Sequence, residues 1–275
     1  MTSIPDVAPA QSHPAHFEQR DQPQGVPPLA LTGERTLPNV PEENYWFRRH
    51  LVVYEWIAER VRGLSAIDMA CGEGYGSDVL ARTAASVVGV DANPEAHEHA
   101  RLRYTRANLR FARELVESFS EPADAVVFLQ TIEHLERPGD ALDHFRLLVG
   151  EGGAVFVSTP NVLTLAPKGA PRSDNPWHVH EYRCAELEAL CRAHFASVEM
   201  YGLFHARKLR AHELALRLGW DRVHARLGVT RRFYDWFTPA IAASDFVLRP
   251  AGTGEGAARG ADMDRALDFL AVCRP

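Results

Sequence analysis

The stretch DNPWHVHEY, residues 174–182, collects two imidazoles, an indole and two carboxylates in what the pattern predicts to be a loop. A second polar group, Gln130, Glu133 and His134, follows an apolar run. Its i, i+3, i+4 spacing places the three side chains on one face of a helical turn. Histidine with glutamate can act as a general base and its orienting acid, or can bind a divalent cation.

Short apolar runs alternate with amphipathic stretches from Leu64 onward. This alternation is typical of a doubly wound α/β fold, and we expect a mostly parallel sheet of seven strands covered on both faces. Ligands of such sheets bind beyond the carboxyl ends of the strands, so the two polar groups should meet there. The predicted strands are 64–71, 86–93, 108–115, 123–131, 152–161 and 196–204 with a last pair near the end, and the predicted helices are 77–85, 94–104, 139–149 and 183–195.

The chain divides into three parts by composition. Residues 1–30 are rich in proline and glutamine and poor in large apolar residues, which predicts a disordered tail. Residues 31–63 contain an amphipathic, aromatic-rich stretch, which we interpret as a helical lid. Residues 64–275 form the α/β domain, with an arginine-rich helical insert at about 205–243 before the last strand.

The composition also limits location and partners. No apolar run reaches 18 residues and the start of the chain lacks a secretory signal, so we expect no insertion into a membrane. The four cysteines show neither metal-binding spacing nor a disulfide framework, which favours a cytoplasmic location. A net charge of −6 argues against nucleic acid as the main partner.

The loop DMACGEGYGSD, residues 68–78, places three glycines after a buried strand. Glycines let the backbone approach a ligand closely, and the following helix offers free N–H groups. A dinucleotide fingerprint would place its third glycine at position 77, where this chain has Ser77. Asp91 ends the second strand and is placed to accept hydrogen bonds from ribose hydroxyls.

These residues carry a resemblance to a known family. The glycine loop with its preceding acid resembles motif I of class I S-adenosylmethionine-dependent methyltransferases, and ADAVVFLQTIEHLERPGDAL (123–142) is similar to the type 11/12 pattern with its EHLxxP turn. The resemblance covers about residues 64–204 and implies a Rossmann-like fold with S-adenosylmethionine as donor and S-adenosylhomocysteine as product. The cofactor-binding positions that it implies are Asp68, Ala70, Gly72, Gly74, Tyr75, Gly76, Asp91, Ala92, Glu114, Leu115 and Gln130.

A second resemblance concerns the acceptor. LTGERTLPNVPEENYWFRRH (31–50), NPWH (175–178) and GLFHARKLR (202–210) resemble segments of actinobacterial methylglucose-polysaccharide-type O-methyltransferases. This implies methylation of a hydroxyl on a sugar, in a glycan or glycolipid, or on another small polar acceptor. The acceptor-binding positions would be Arg35, Tyr45, Trp46, His50, Trp177 and His180.

Two chemical interpretations of the catalytic residues Glu133, His134 and His178 stay open. An imidazole takes the acceptor proton while Glu133 or Glu181 orients the ring. Alternatively, the three residues bind Mg²⁺ or another divalent cation, similar to the E-x-x-E-H turn of plant small-RNA 2′-O-methyltransferases and ubiquinone-pathway O-methyltransferases. The first acid of that turn is Gln130 here, and a neutral amide is a weaker ligand.

Other functions remain as alternatives to the sugar O-methyltransferase. They are an RNA 2′-O-methyltransferase-like enzyme with a metal site, a nucleotide-binding oxidoreductase, and a non-catalytic cofactor-binding protein. The expected partner is a small molecule or glycan, and a homodimer is left open.

Overall fold

Eight of the apolar runs pair into one sheet in the computed structural model, which describes residues 16–17, 19–30, 35–167, 169–252 and 261–275. A separate two-stranded sheet precedes it. The strands are β1 (His16–Phe17), β2 (Leu29–Ala30), β3 (Ser65–Met69), β4 (Ser86–Val90), β5 (Leu109–Ala112), β6 (Ala125–Leu129), β7 (Ala154–Pro160), β8 (Ser197–His205), β9 (Phe246–Pro250) and β10 (Asp268–Arg274).

The sheet order is β5-β4-β3-β6-β7-β10-β8-β9, and the first five strands in that order are parallel. This is the predicted doubly wound fold. It has eight strands where the fold class predicts seven, because both members of the predicted last pair, β9 and β10, join the sheet beside the six other predicted strands. Strand β10 runs antiparallel between β7 and β8, and Asp268 pairs with both Pro160 and Leu203. The start of β10 therefore lies at the edge where β7 and β8 end.

Helices cover both faces of the sheet. One core layer joins the sheet to α1, α2 and the insert helices, and the other joins it to α4 and α6. The insert predicted at 205–243 forms three short helices between β8 and β9. The helices are α1 (Asn44–Ala58), α2 (Tyr75–Leu80), α3 (Pro94–Arg103), α4 (Pro138–Val149), α5 (Val162–Leu165), α6 (Cys184–His194), α7 (Arg207–Arg217), α8 (Trp220–Arg226) and α9 (Thr230–Phe237).

A buried ion pair fixes helix α1 to the start of β10, at the carboxyl edge of the sheet. The Arg49 guanidinium donates to both carboxylate oxygens of Asp268 at 2.6 and 2.5 Å, and it also donates to the Leu267 carbonyl at 2.8 Å. At the start of the helix, the Asn44 amide donates to the carbonyls of Thr238 and Ile241 at 2.8 and 2.9 Å. The helix therefore connects the last strand with the end of the insert.

Residues 19–30, which the composition assigns to a disordered tail, are packed against the domain, and the prediction is wrong for them. Gln19 is 3% exposed and Leu29 is 1% exposed. Low apolar content misled the prediction, because polar contacts with distant residues hold the segment together with its few buried apolar side chains. These contacts join Gln19 to Glu73, Asp21 to Arg103 and the Pro27 carbonyl to His99. Residues 1–15 and 18 of the predicted tail, and 31–34 of the predicted lid, lie outside the described residues.

Across the described ranges, no helix has both the length and the apolar content needed to cross a membrane.

Substitution of Arg49 tests the role of the ion pair. We expect Arg49→Ala to lower the free energy of unfolding by about 3–5 kcal/mol, because it leaves the Asp268 carboxylate buried without its partner. The double variant Arg49→Met/Asp268→Leu should recover most of this loss. Urea unfolding measures both, and Arg62→Ala, which removes an exposed pair with Glu59, should cost less than about 1 kcal/mol. Equal losses for Arg49→Ala and Arg62→Ala would contradict this account.

Candidate functional site

The loop after β3 forms a cradle whose backbone is held by Asp91. The Gly72 N–H donates to Asp91 Oδ2 and the Asn93 N–H donates to Asp91 Oδ1, both at 2.8 Å. Gly72 and Gly74 have φ values of 56° and 95°, in the left-handed region that glycine adopts without strain. Each carboxylate oxygen accepts more than one hydrogen bond, so Asp91 retains capacity for a ligand.

Asp68 lies in β3, inside the fold and directly before this loop. It is fully buried, and its carboxylate accepts hydrogen bonds from Tyr54 Oη at 3.1 Å and Ser77 Oγ at 2.7 Å. Burial raises the pKa of the Asp68 carboxyl to about 7, although these two bonds act in the opposite direction. Both carboxylate oxygens thus bind neighbouring side chains inside the fold, and contact of Asp68 with the cofactor stays a prediction.

Gly76 allows Tyr54 to reach Asp68. A Cβ atom at position 76 would lie 2.1 Å from the Tyr54 ring, so any larger residue would displace the tyrosine. Tyr75, the next predicted position, has its hydroxyl 3.1 Å from Thr36 Oγ1. This contact places the segment that begins at Arg35, which is partly buried, beside the glycine loop.

Glu73 is a site residue that the sequence analysis missed. It is 1% exposed, and its carboxylate accepts hydrogen bonds from Gln19 Nε2 at 2.8 Å and from Tyr104 Oη at 2.8 and 3.0 Å. His99 Nε2 lies 3.1 Å from the same carboxylate, and Arg103 Nε lies 3.3 Å from it. The central acid of the loop therefore anchors the segment 19–30 next to the cradle. Its position between two glycines was the only signal in the sequence.

The remaining predicted cofactor positions line the carboxyl edge of four adjacent strands, β5, β4, β3 and β6. Two of them, Ala70 and Gln130, have φ values of 56° and 53°, which turn the chain sharply after β3 and β6. The Gln130 amide donates to Ser158 Oγ at 3.0 Å. Ala92, Glu114 and Leu115 are exposed beside them.

Glu133, His134 and His178 come together where β6 and β7 end. Each residue offers one ligand atom, and these atoms lie within 4.8 Å of one another. Glu133 is 1% exposed, and its Oε2 accepts a hydrogen bond from Thr159 Oγ1 at 2.9 Å. The rings of His134 and His178 meet edge to face with centroids 5.0 Å apart. The two polar groups of the sequence therefore converge as predicted.

Main-chain contacts hold the two groups together. The Glu133 carbonyl accepts hydrogen bonds from the N–H groups of Val179 and His180 at 2.8 and 3.1 Å. His134 Nδ1 lies 3.0 Å from the Trp177 carbonyl, and a carbonyl only accepts, so Nδ1 carries the proton. The loop is thus fixed against the turn that follows β6.

Glu181 orients His178. The Nδ1–H of His178 donates to Glu181 Oε1 at 2.7 Å, and the Asn175 amide contacts Nε2 at 3.0 Å. Burial by itself would raise the pKa of the Glu181 carboxyl, but hydrogen bonds from Ser173 and His178 hold that pKa below its usual value. An ionised Glu181 therefore fixes the position of the His178 ring.

Two of the predicted acceptor residues have partners within the fold. The Tyr45 hydroxyl donates to His205 Nε2 at 2.8 Å, and burial raises its pKa to about 12. The Trp46 ring packs under the Arg49 guanidinium, 4.8 Å from its centroid. Aromatic side chains on a lid helix predict ligand contact and packing equally well, so acceptor binding by these two residues stays a prediction.

The other predicted acceptor residues surround the carboxyl edge. Burial lowers the pKa of His50 to about 4, the positive charge of Arg49 adds to this effect, and Asp268 opposes it. Trp177 is 63% exposed on its loop. His180 is exposed, and its ring meets the Tyr182 ring edge to face with centroids 4.5 Å apart, outside the cluster of Glu133, His134 and His178.

Comparison with known proteins gives a family match. Residues 45–214 match the model of a family described as a methyltransferase domain. A probable S-adenosylmethionine-dependent methyltransferase of Mycolicibacterium smegmatis is 36% identical over 252 residues, which cover 89% of this chain and 94% of the relative. One from Mycobacterium tuberculosis is also 36% identical, with 89% of each chain covered. A ubiquinone biosynthesis O-methyltransferase of Albidiferax ferrireducens is 34% identical over 182 residues, covering 59% of this chain and 70% of the relative.

Solved structures share the fold. An S-adenosylmethionine-dependent methyltransferase of Thermotoga maritima, described as a possible histamine N-methyltransferase, has a TM-score of 0.54 at 14% identity over 85% of this chain and 94% of its own. Magnesium protoporphyrin IX methyltransferase of Synechocystis with bound S-adenosylhomocysteine has a TM-score of 0.50 at 19% identity, over 63% and 84% of the two chains.

The pKa of Asp68 gives a pH-dependent prediction. Asp68→Asn keeps the shape of the side chain but removes its ionisation. Because the folded-state pKa of about 7 lies above the usual 3.8, the folded protein binds the proton more tightly than the unfolded chain. The stabilisation by protonated Asp68 is complete below pH 3.8 and is lost as the pH rises through about 7. Urea unfolding from pH 4 to 8 should therefore show wild type losing stability relative to Asp68→Asn. A difference that does not vary with pH would refute the assignment.

Proposed function

The chain belongs to the class I S-adenosylmethionine-dependent methyltransferases, and from this premise we propose that it methylates a hydroxyl group of a sugar or another small polar acceptor. The observation that carries the proposal is the convergence of Glu133, His134 and His178 at the carboxyl edge of the sheet. An acceptor in a glycan or glycolipid, as in methylglucose polysaccharides, belongs to the same proposal.

In this proposal the donor binds along the edge of β3, β4 and β5. Asp91 accepts hydrogen bonds from the ribose hydroxyls, and the backbone of Gly72 and Gly74 approaches the methionine part. Glu114 and Leu115 are placed to line the adenine, since they follow β5 next to Asp91 in the sheet. The methyl group then points toward the turn after β6, where the acid and the two histidines lie.

Methyl transfer to an oxygen requires the acceptor to lose its proton. The acceptor oxygen attacks the methyl carbon in line with the carbon–sulfur bond, which breaks to release S-adenosylhomocysteine. The hydroxyl proton passes to an imidazole nitrogen, and His178 is the better candidate because Glu181 stabilises the imidazolium that forms. The accepting nitrogen is Nε2, where the acceptor hydroxyl replaces the Asn175 amide. Positioning of donor and acceptor supplies much of the remaining rate enhancement.

A metal-assisted form of the same reaction is the second candidate. Its support is that Nδ1 of His134 binds a carbonyl and Nδ1 of His178 binds a carboxylate, which is the usual outer contact of metal-binding histidines. With Glu133, they would hold a divalent cation, which would lower the pKa of the acceptor hydroxyl when bound. Gln130 stands where the similar turn has its first acid, and a neutral amide is a weaker ligand, so this alternative assigns the cation to Glu133, His134 and His178.

A sugar acceptor is supported by Trp177, whose exposed ring offers a flat apolar face beside polar groups. Transfer to oxygen is supported by the relatives named for ubiquinone biosynthesis as O-methyltransferases. The RNA acceptor lacks a comparable observation, and the family match disfavours an oxidoreductase.

A cytoplasmic location is part of the proposal, supported by four free cysteine thiols.

Kinetics of cluster variants test the proposal. With radiolabelled S-adenosylmethionine and a panel of mono- and oligosaccharides and catechols, we expect His178→Ala to lower kcat by about 10²- to 10⁴-fold. Glu181→Gln should lower it by about ten-fold, because the imidazolium loses its carboxylate partner. Binding of S-adenosylhomocysteine, measured by calorimetry, should stay unchanged in both. His97→Ala on α3 is the matched histidine control and should keep full activity.

Addition of EDTA separates the two chemical forms. Activity that persists in EDTA supports the acid–base form, and activity that is lost and then restored by Mg²⁺ supports the metal-assisted form. Methylation of nitrogen or carbon in the product, or wild-type protein that does not bind S-adenosylhomocysteine, would overturn the proposal.

A further inference from the structure

The helical insert exposes an unusual number of large apolar side chains. Of the thirteen that are exposed in the described part of the chain, seven lie between residues 214 and 236. Leu218 is 80% exposed, Leu227 67% and Trp236 70%. Scattered exposed leucines are ordinary on protein surfaces, but a concentration of this kind marks an interaction surface.

The same segment carries a strong positive charge. Residues 207–237 contain eight arginine or lysine residues and three acids, a net charge of +5, whereas the whole chain has −6. All eight basic residues are exposed. The insert is therefore a basic region on an acidic protein, and its partner should be anionic.

Apolar and basic side chains share the outward face of α7. Arg210, Leu214, Arg217 and Leu218 follow i, i+4, i+7 and i+8 spacing and are exposed, while Leu209, His212 and Leu216 are buried on the opposite side. A shorter mixture of apolar and basic residues is exposed at α8, where Val223 and Leu227 lie next to Arg222 and Arg226.

We propose that this outward surface of the insert binds membrane surfaces rich in anionic lipids. Arginines would contact the headgroups while the leucines and Trp236 enter the boundary with the acyl chains, as in helices that lie on a membrane without crossing it. An RNA partner would contact the arginines but leave aliphatic residues such as Leu218 and Leu227 in water. A symmetric second copy would place basic surface against basic surface.

The position of the insert gives this surface a functional consequence. The insert begins after His205, at the end of β8, and Leu203 in that strand pairs with Asp268 at the carboxyl edge of the sheet. Asn44 in α1 binds the carbonyls of Thr238 and Ile241 just after the insert. Docking on a membrane would therefore bring the candidate site close to the lipid surface.

Vesicle flotation tests this proposal with the full chain. We expect binding to vesicles of phosphatidylcholine with one-third phosphatidylglycerol, weak binding to pure phosphatidylcholine, and weaker binding as salt increases. Arg222→Ala/Arg226→Ala should lower partitioning by about twenty-five-fold, since each basic residue contributes about five-fold. Leu218→Ser/Leu227→Ser should lower it by at least about ten-fold.

Matched controls lie outside the insert. Leu147, 73% exposed on α4, and Arg137, with its side chain 83% exposed, should tolerate Leu147→Ser and Arg137→Ala without a change in partitioning. Circular dichroism confirms that each variant is folded. Equal losses in the controls, or no binding of wild type to anionic vesicles at physiological salt, would overturn the proposal. So would tighter binding to single-stranded RNA, or a lipid-free dimer that the leucine substitutions dissociate while vesicle binding is absent.

Discussion

The buried pair of Arg49 and Asp268 is the constraint on which the rest of the site depends. It fixes helix α1 to the start of β10 at the carboxyl edge of the sheet, and the two ends of that helix make different contacts. Toward one end, Tyr54 reaches through the space left by Gly76 to Asp68 under the donor loop. At the other end, the Asn44 amide donates a hydrogen bond to the Thr238 carbonyl, where the insert helices end. One helix thereby sets the relative position of the donor loop, the last strand and the insert.

The buried carboxylates near the site share one feature, which is that hydrogen-bond donors surround them. An isolated charge inside a protein is costly, so each acid of the edge is surrounded by donors. Glu73 binds groups from the N-terminal segment and from α3, whereas Glu181 binds Ser173 and His178 within its own loop. These contacts fix side chains before any ligand arrives, which favours chemistry that depends on positioning.

The sequence predicted the parts of the fold that depend on local pattern. Buried strands and the glycine loop were predictable because apolar periodicity and left-handed glycines are properties of short segments. The packing of residues 19–30 was not, since it depends on contacts with Glu73 more than fifty residues away. The contacts of Tyr45 and Trp46 depend on what faces α1. The strand β9 was predicted, but its pairing with β8 rather than with β10 depends on the sheet order. The convergence of Glu133, His134 and His178 was predicted because parallel strands end at one edge.

The most direct test of the account is a crystal structure of the protein with S-adenosylhomocysteine. The account predicts that both ribose hydroxyls lie within hydrogen-bond distance of the Asp91 carboxylate, and that the sulfur faces the space in front of Glu133, His134 and His178. A complex in which the ligand binds elsewhere, or in which its sulfur faces away from these three residues, would contradict it.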